Sequence, residues 1–248
     1  SECRVLITFV HMKSSASKVY LIPSFLHETA TETIPAYVLQ AVKQCQVFFV
    51  ENERTARRYL KLLWREMVID SYQWVNMKDV TPEVAGSFKK ALKEGKTIGI
   101  ISEAGCPGVA DPGQQLVAMA QQQQALVKPL VGPNSILLAL MGSGMNGQCF
   151  QFVGYLPIDI AQRAKTIKTL ESESRQKNCT QIFIETPYRN NQLLETLVKT
   201  CLPQTSICVA VDLTAPTESI QTKTAQQWKT AMPSLHKRPA IFLLYAGV

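Results

Sequence analysis

The sequence predicts an α/β protein built on a mostly parallel sheet with helices on both faces. Three observations predict it. Short apolar runs alternate with longer segments patterned at helical spacing. Helix punctuation is clear in TPEVAGSFKKALKEG, where Thr81 is the N-cap, Pro82 the first helical residue and Gly95 the stop. A loop dense in glycine and proline, residues 102–113, follows the apolar run TIGI at the point where open α/β sheets bind ligands.

Taken in order, VYLI (19–22) is a strand and 33–44 a helix, with Ile34, Tyr37, Val38 and Val42 near helical spacing. VFFV (47–50) is a strand. Residues 52–63 form a helix with Asn52 as N-cap. YQWV (72–75) reads as a short strand, and 97–101 as the buried strand before the glycine loop. A helix over 114–124 and a strand over 125–131 follow. GPNS (132–135) opens a short helix and marks the domain boundary. An N-terminal α/β domain spans 1–132, its residues 1–17 extra or weakly structured, and a C-terminal α/β domain spans 133–248. In the second domain, CFQFVGYLP is a strand, 161–176 a basic helix, TQIFIETP a buried strand and 188–200 a helix. Strands at 206–211 and 218–222, a helix near 224–231 and the strand RPAIFLLYAGV close the chain.

Composition excludes some classes. No apolar run is long enough to span a bilayer, and RVLITFV with SSAS makes a poor signal peptide. The net charge of +7 permits a polyanionic partner. Seven cysteines include no CxxC, and the three histidines are scattered, so neither a metal site nor a disulfide framework is expected. Buried, reduced thiols in a cytoplasmic protein fit this usage.

Each motif has a plain reading beside a functional one. The loop SEAGCPGVADPG is either a tight βα connection or a ligand cradle. Glycine allows close backbone approach, proline stiffens, and Glu103 with Asp111 disfavours a phosphate. A complete P-loop and GxSxG are both missing. On the segment ENERTARRYL, Arg54, Arg58, Lys61 and Arg65 lie on about one helical face, either solvated or contacting phosphate. Glu51 and Glu53 stand at a strand end, where either orients a substrate or caps a helix. In IETPYR, Glu185, Tyr188 and Arg189 repeat that arrangement. Ser135 either caps the helix after GPNS or lends backbone groups to a ligand.

Together these segments resemble the tetrapyrrole methylase superfamily, most closely its ribosomal RNA small-subunit methyltransferase I branch. That branch carries P-x-G, AEDTR, SDAGTPxxSDPG, GPSA, FxGFLP and ESPHR in this order. The strings here are IPSF, VENERT, SEAGCPGVADPG, GPNS, FVGYLP and ETPYR. Departures stand at Phe25 for glycine, at Asn52 and Glu53 for the Glu-Asp pair, and at Tyr188 for histidine.

The resemblance implies two α/β domains with S-adenosylmethionine (SAM) in the cleft between them, and a homodimer. It implies cofactor contacts at Pro23, Ser102, Ala104, Gly105, Pro107, Val109 and Ser135, with Pro239 and Ala240 as a weaker pair. The activity implied is 2′-O-methylation of a ribose in 16S ribosomal RNA, with ribosomal RNA or the 30S subunit as partner. Methylation of a corrin or porphyrin precursor and a non-catalytic SAM- or RNA-binding module are the alternatives. Glu53 and Glu185 are the carboxylates to test as catalytic groups. Arg54, Arg58, Tyr188 and Arg189 are the substrate-side candidates, the arginines meeting phosphate or a developing oxyanion.

Overall fold

A computed structural model describes residues 17–247, which form two compact units. The expectation for residues 1–17 falls outside them, Ser17 apart. One unit takes residues 17–23 and 36–131, the other 24–35 and 132–247.

The first unit carries β1 (Lys18–Ile22), α1 (Val38–Gln44), β2 (Val47–Val50), α2 (Glu53–Leu63), β3 (Gln73–Asn76), α3 (Pro82–Lys93), β4 (Ile98–Ile101), α4 (Gly113–Gln122) and β5 (Leu126–Pro129). Its sheet runs β3-β2-β4-β1-β5, every pair parallel. Strands covered on both faces should read as continuous apolar runs, and β2 and β4 do. On one face Val19, Phe49, Ile98 and Ile100 pack with Phe88 of α3 and Leu116 of α4. On the other, Tyr20 donates to Gln44 at the end of α1 (2.9 Å), and Phe48 stacks on Trp74 beneath Arg57 of α2. Gly99 faces Phe48, and a Cβ there would come within 2.7 Å of its ring. That close approach is why this strand position is glycine.

Two elements differ from expectation. The helix expected over 33–44 splits into a 3-10 turn at Thr31–Thr33 and α1, because Pro35 lies between them. The cap of the helix after GPNS is Asn134, not Ser135. The Asn134 side chain accepts from the Ile136 and Leu137 N–H groups at 3.0 and 3.1 Å, and Ser135 is the first helical residue.

The second unit carries α5 (Ser135–Ser143), β6 (Phe150–Tyr155), α6 (Ile160–Lys177), β7 (Thr180–Ile184), α7 (Asn190–Thr200), β8 (Ser206–Val211), β9 (Ser219–Thr224), α8 (Ala225–Trp228) and β10 (Ala240–Tyr245). Its sheet runs β6-β7-β10-β8-β9, and only β6 and β7 are parallel. The mostly parallel expectation therefore holds for the first unit alone. The link from β8 to β9 is too short for a crossover, and Asp212 and Thr214 turn it through left-handed backbone. β10 then enters between β7 and β8, antiparallel to both. Phe183, Phe242 and Trp228 centre the core under α6, α7 and α8. Ile182, Cys208 and Leu243 face α5, with Leu26 packed against them.

Among the described residues the cysteines Cys45, Cys106, Cys149, Cys179, Cys201 and Cys208 are free thiols. Burial pushes Cys45 and Cys201 up to about 12. No helix among the described residues is long and apolar enough to cross a membrane.

Candidate functional site

In the first unit the adjacent strands β2, β4 and β1 end side by side, and the glycine loop leaves β4 there. Asp111 holds that loop. Its carboxylate accepts from the Gly108 N–H (2.9 and 3.0 Å) and the Gly113 N–H (2.8 Å). Burial pushes the Asp111 carboxyl up, against those bonds and one from Ser102, which pull it down. Gly105 and Gly108 have φ of +74° and +85°, a conformation in which side chains are strained. The stiffness expected of the loop thus comes from an internal carboxylate as much as from proline.

The predicted cofactor residues of this unit sit around that turn. Ser102, Gly105 and Pro107 are buried, while Ala104 and Val109 are exposed. Glu51 accepts from the Glu103 N–H at 2.9 Å and so ties the end of β2 to the loop. Pro23, after β1, offers its carbonyl to the buried Tyr59 hydroxyl, whose pKa burial raises.

The acidic and basic side chains of α2 are partly committed. Asn52 caps the helix as expected, accepting from Arg54 and Thr55. Glu53 pairs with Arg57 at 2.5 Å, and Arg57 lies 5.2 Å above the Trp74 ring. Arg54 and Arg58 are exposed. α2 stops at Leu63 as expected, so Arg54, Arg58 and Lys61 lie on it and Arg65 falls beyond its end. Lys61 turns back onto the Arg65 and Met67 carbonyls (2.6 and 2.9 Å).

In the second unit Glu185 follows β7 with its side chain 1% exposed. It accepts from the Thr186 N–H and from Arg189, each at 2.7 Å. Burial pushes its carboxyl up, but these bonds and the charges of Arg189 and Arg163 hold it below the ordinary value. Such a carboxylate is a weak proton acceptor and a firm anchor for a guanidinium. Tyr188 is exposed next to it. Ala240 opens β10, and the Pro239 carbonyl accepts from Asp212 at 3.0 Å.

Sequence reasoning missed Arg163. It is fully buried on α6 and donates to the carbonyls of Pro157 (2.9 Å) and Ile158 (2.8 Å) and to Gln192 of α7 (3.3 Å). It fixes the turn after FVGYLP. The signal was available, since Arg163 shares the buried stripe of α6 with Ile167, Leu170 and Ser174. The pair Arg238–Asp212, at 2.7 Å, was also missed. Among the described residues no group of metal-ligating side chains could hold an ion.

The solved structure of the methyltransferase CobJ matches with a TM-score of 0.58, at 17% identity over 92% of this chain and 93% of that one. That of the cobalt precorrin-4 methyltransferase CbiF matches at 0.56, with 14% identity over 94% and 96%. Diphthine synthase matches at 0.65, with 12% identity over 92% and 89%. The chain has the tetrapyrrole methylase fold. No family model matches it. Curated proteins similar to this chain in sequence carry the name ribosomal RNA small subunit methyltransferase I. That of Halalkalibacterium halodurans is 28% identical over 167 residues, 67% of this chain and 55% of the relative. That of Escherichia coli O157:H7 is 29% identical over 208 residues, 84% of this chain and 69% of the relative. That of Micromonospora olivasterospora is 30% identical over 177 residues, 71% of this chain and 53% of the relative. The match thus spans little more than half the length of two of these relatives. By sequence, the chain is similar to these proteins of that name.

Proposed function

We propose that the protein is a SAM-dependent methyltransferase acting on a ribose 2′-oxygen of small-subunit ribosomal RNA. The observation that carries the reading is the glycine turn at the end of β4, set in a chain whose curated relatives bear that name. The residues fit SAM. The turn offers main-chain groups at close range, and Glu51, Glu103 and Asp111 supply negative charge suited to a sulfonium. Pro23, Ser102, Ala104, Gly105, Pro107 and Val109 are the contacts assigned to it in the first unit, Ser135 and Ala240 in the second.

When bound, SAM supplies a methyl already activated by its sulfonium, so positioning carries much of the rate. A ribose hydroxyl that took the methyl would have to give up its proton, so a residue of this chain would have to accept it. Glu185 is held ionised by Arg189, so its part is to aim that guanidinium at phosphate or oxyanion. Glu53, whose side chain is 41% exposed, is the carboxylate left to test as the proton acceptor. Arg54 and Arg58 supply exposed cations for the RNA backbone. The same reading takes the protein as a cytoplasmic homodimer, which sedimentation would check.

Calorimetric titration with SAM and its demethylated product tests the cofactor. Labelled SAM with 30S subunits from cells lacking the activity tests the acceptor, and ribose methylation is the expected product. Label transferred only to a corrin precursor, or SAM bound with no product, would overturn the RNA assignment.

A further inference from the structure

We propose that Tyr188 is a stacking platform for one unpaired base of the RNA, with Lys237 and Arg189 taking the adjoining phosphates. The proposal rests on the reading of the protein as an RNA methyltransferase and says how one nucleotide is gripped.

Tyr188 is 70% exposed on the turn that joins β7 to α7. The ring is braced on one flank. His236 meets it edge to face with centroids 6.0 Å apart, and the Lys237 ammonium lies 6.0 Å from its centre. The bracing segment is itself fastened to the start of α7. The Lys237 N–H donates to the Pro187 carbonyl at 3.1 Å, the Leu235 N–H to the Asn191 side chain at 2.7 Å, and the Asn190 amide to the Arg238 carbonyl at 2.6 Å. Lys237 adopts φ +61°, a left-handed conformation rare for lysine, which these bonds hold. A rigid ring with a wet face, and a cation fixed beside it, is the arrangement that grips single-stranded nucleic acid.

Charge favours RNA over an apolar peptide. Arg189 follows directly, one guanidinium nitrogen on Glu185 and its side chain one third exposed. Tyr155, 62% exposed, ends β6 opposite Ile184 of β7, the strand that leads to Arg189. Two cations and two exposed phenol rings therefore share this surface of the second unit, in a chain of net charge +7.

The test uses the full chain and a single-stranded oligoribonucleotide carrying 2-aminopurine, whose fluorescence is quenched by stacking. Wild type and Tyr188→Phe should bind and quench alike. Tyr188→Ala should bind at least about fivefold more weakly and lose the quenching. Lys237→Ala should keep the quenching but flatten the salt dependence by about 0.7 in log–log slope. SAM calorimetry on each variant should match wild type, which excludes misfolding. If Tyr188→Ala binds and quenches like wild type while methyl transfer to 30S subunits is intact, the platform falls and the methyltransferase reading stands. If wild type binds SAM but neither binds nor methylates RNA, both fall. If a protein from the ribosome binds through Tyr188 and the oligonucleotide does not, the partner is a protein and the proposal is wrong.

Discussion

Replacing glycine by alanine should have opposite signs at two positions of the first unit. At Gly99 a Cβ would lie 2.7 Å from Cδ1 and 2.9 Å from Cε1 of Phe48, and 2.8 Å from Cδ1 of Ile22. Neither neighbour has anywhere to go. Both are fully buried, and the Phe48 ring is stacked on Trp74 at 5.0 Å. Overpacking of this kind costs about 1–3 kcal/mol. At Gly86, an exposed position inside α3, an added Cβ meets nothing within 4 Å. There alanine gains about 0.5–1 kcal/mol by restricting the unfolded chain and improving helix propensity. Urea titration followed by tryptophan fluorescence reads both, because Trp74 reports on the Phe48 contact directly. Gly99→Ala should lower the midpoint and Gly86→Ala should raise it. Because β4 leads into the glycine loop, Gly99→Ala should also weaken SAM binding, and Gly86→Ala should not. A Gly99→Ala protein as stable as wild type would refute the reasoning that strand packing dictates this glycine.

Four further outcomes follow from the contacts described. Asn134→Ala should cost about 0.5–2 kcal/mol in denaturant titration, while Ser135→Ala should cost almost nothing, since only Asn134 caps α5. Arg163→Ala should cost about 3 kcal/mol or more, because the Pro157 and Ile158 carbonyls lose a buried charged donor. Glu185 has a lowered pKa in the folded state, so its contribution is complete above the ordinary glutamate value of about 4.3 and is lost as the pH falls through the folded value. Melting curves across that acid range should therefore slope less steeply in Glu185→Gln than in wild type. Asp111→Ala frees the Gly108 and Gly113 N–H groups together, and calorimetry should show SAM affinity reduced at least about tenfold, with overall secondary structure by circular dichroism retained.

Much of this was legible because local chemistry and tertiary packing agree. VFFV and IGII are buried on both faces and read as such, and Thr81, Pro82 and Gly95 bracket α3 where their chemistry says they should. The antiparallel order of the second sheet was not legible, since pairing direction depends on link length and on where β10 inserts. Apolar runs of β7 and β10 look the same in either direction. At the candidate site, the glycine turn announced itself by composition. Its internal brace by Asp111 did not, because a carboxylate in a loop reads equally as a ligand group. Arg163 was hidden by habit of charge. One basic residue among several on α6 is taken as solvated, and only its place on the apolar stripe distinguishes it.

The short stretch from Ser24 to Pro35 belongs with the last half of the molecule although it is made near the beginning. On a ribosome, Leu26 would emerge long before Ile182, Cys208 and Leu243 exist to cover it. The first unit would gain its helices and most of its strands with an unsatisfied greasy loop hanging from β1, in reach of chaperones. No single proteolytic cut, and no simple truncation, releases the later unit whole.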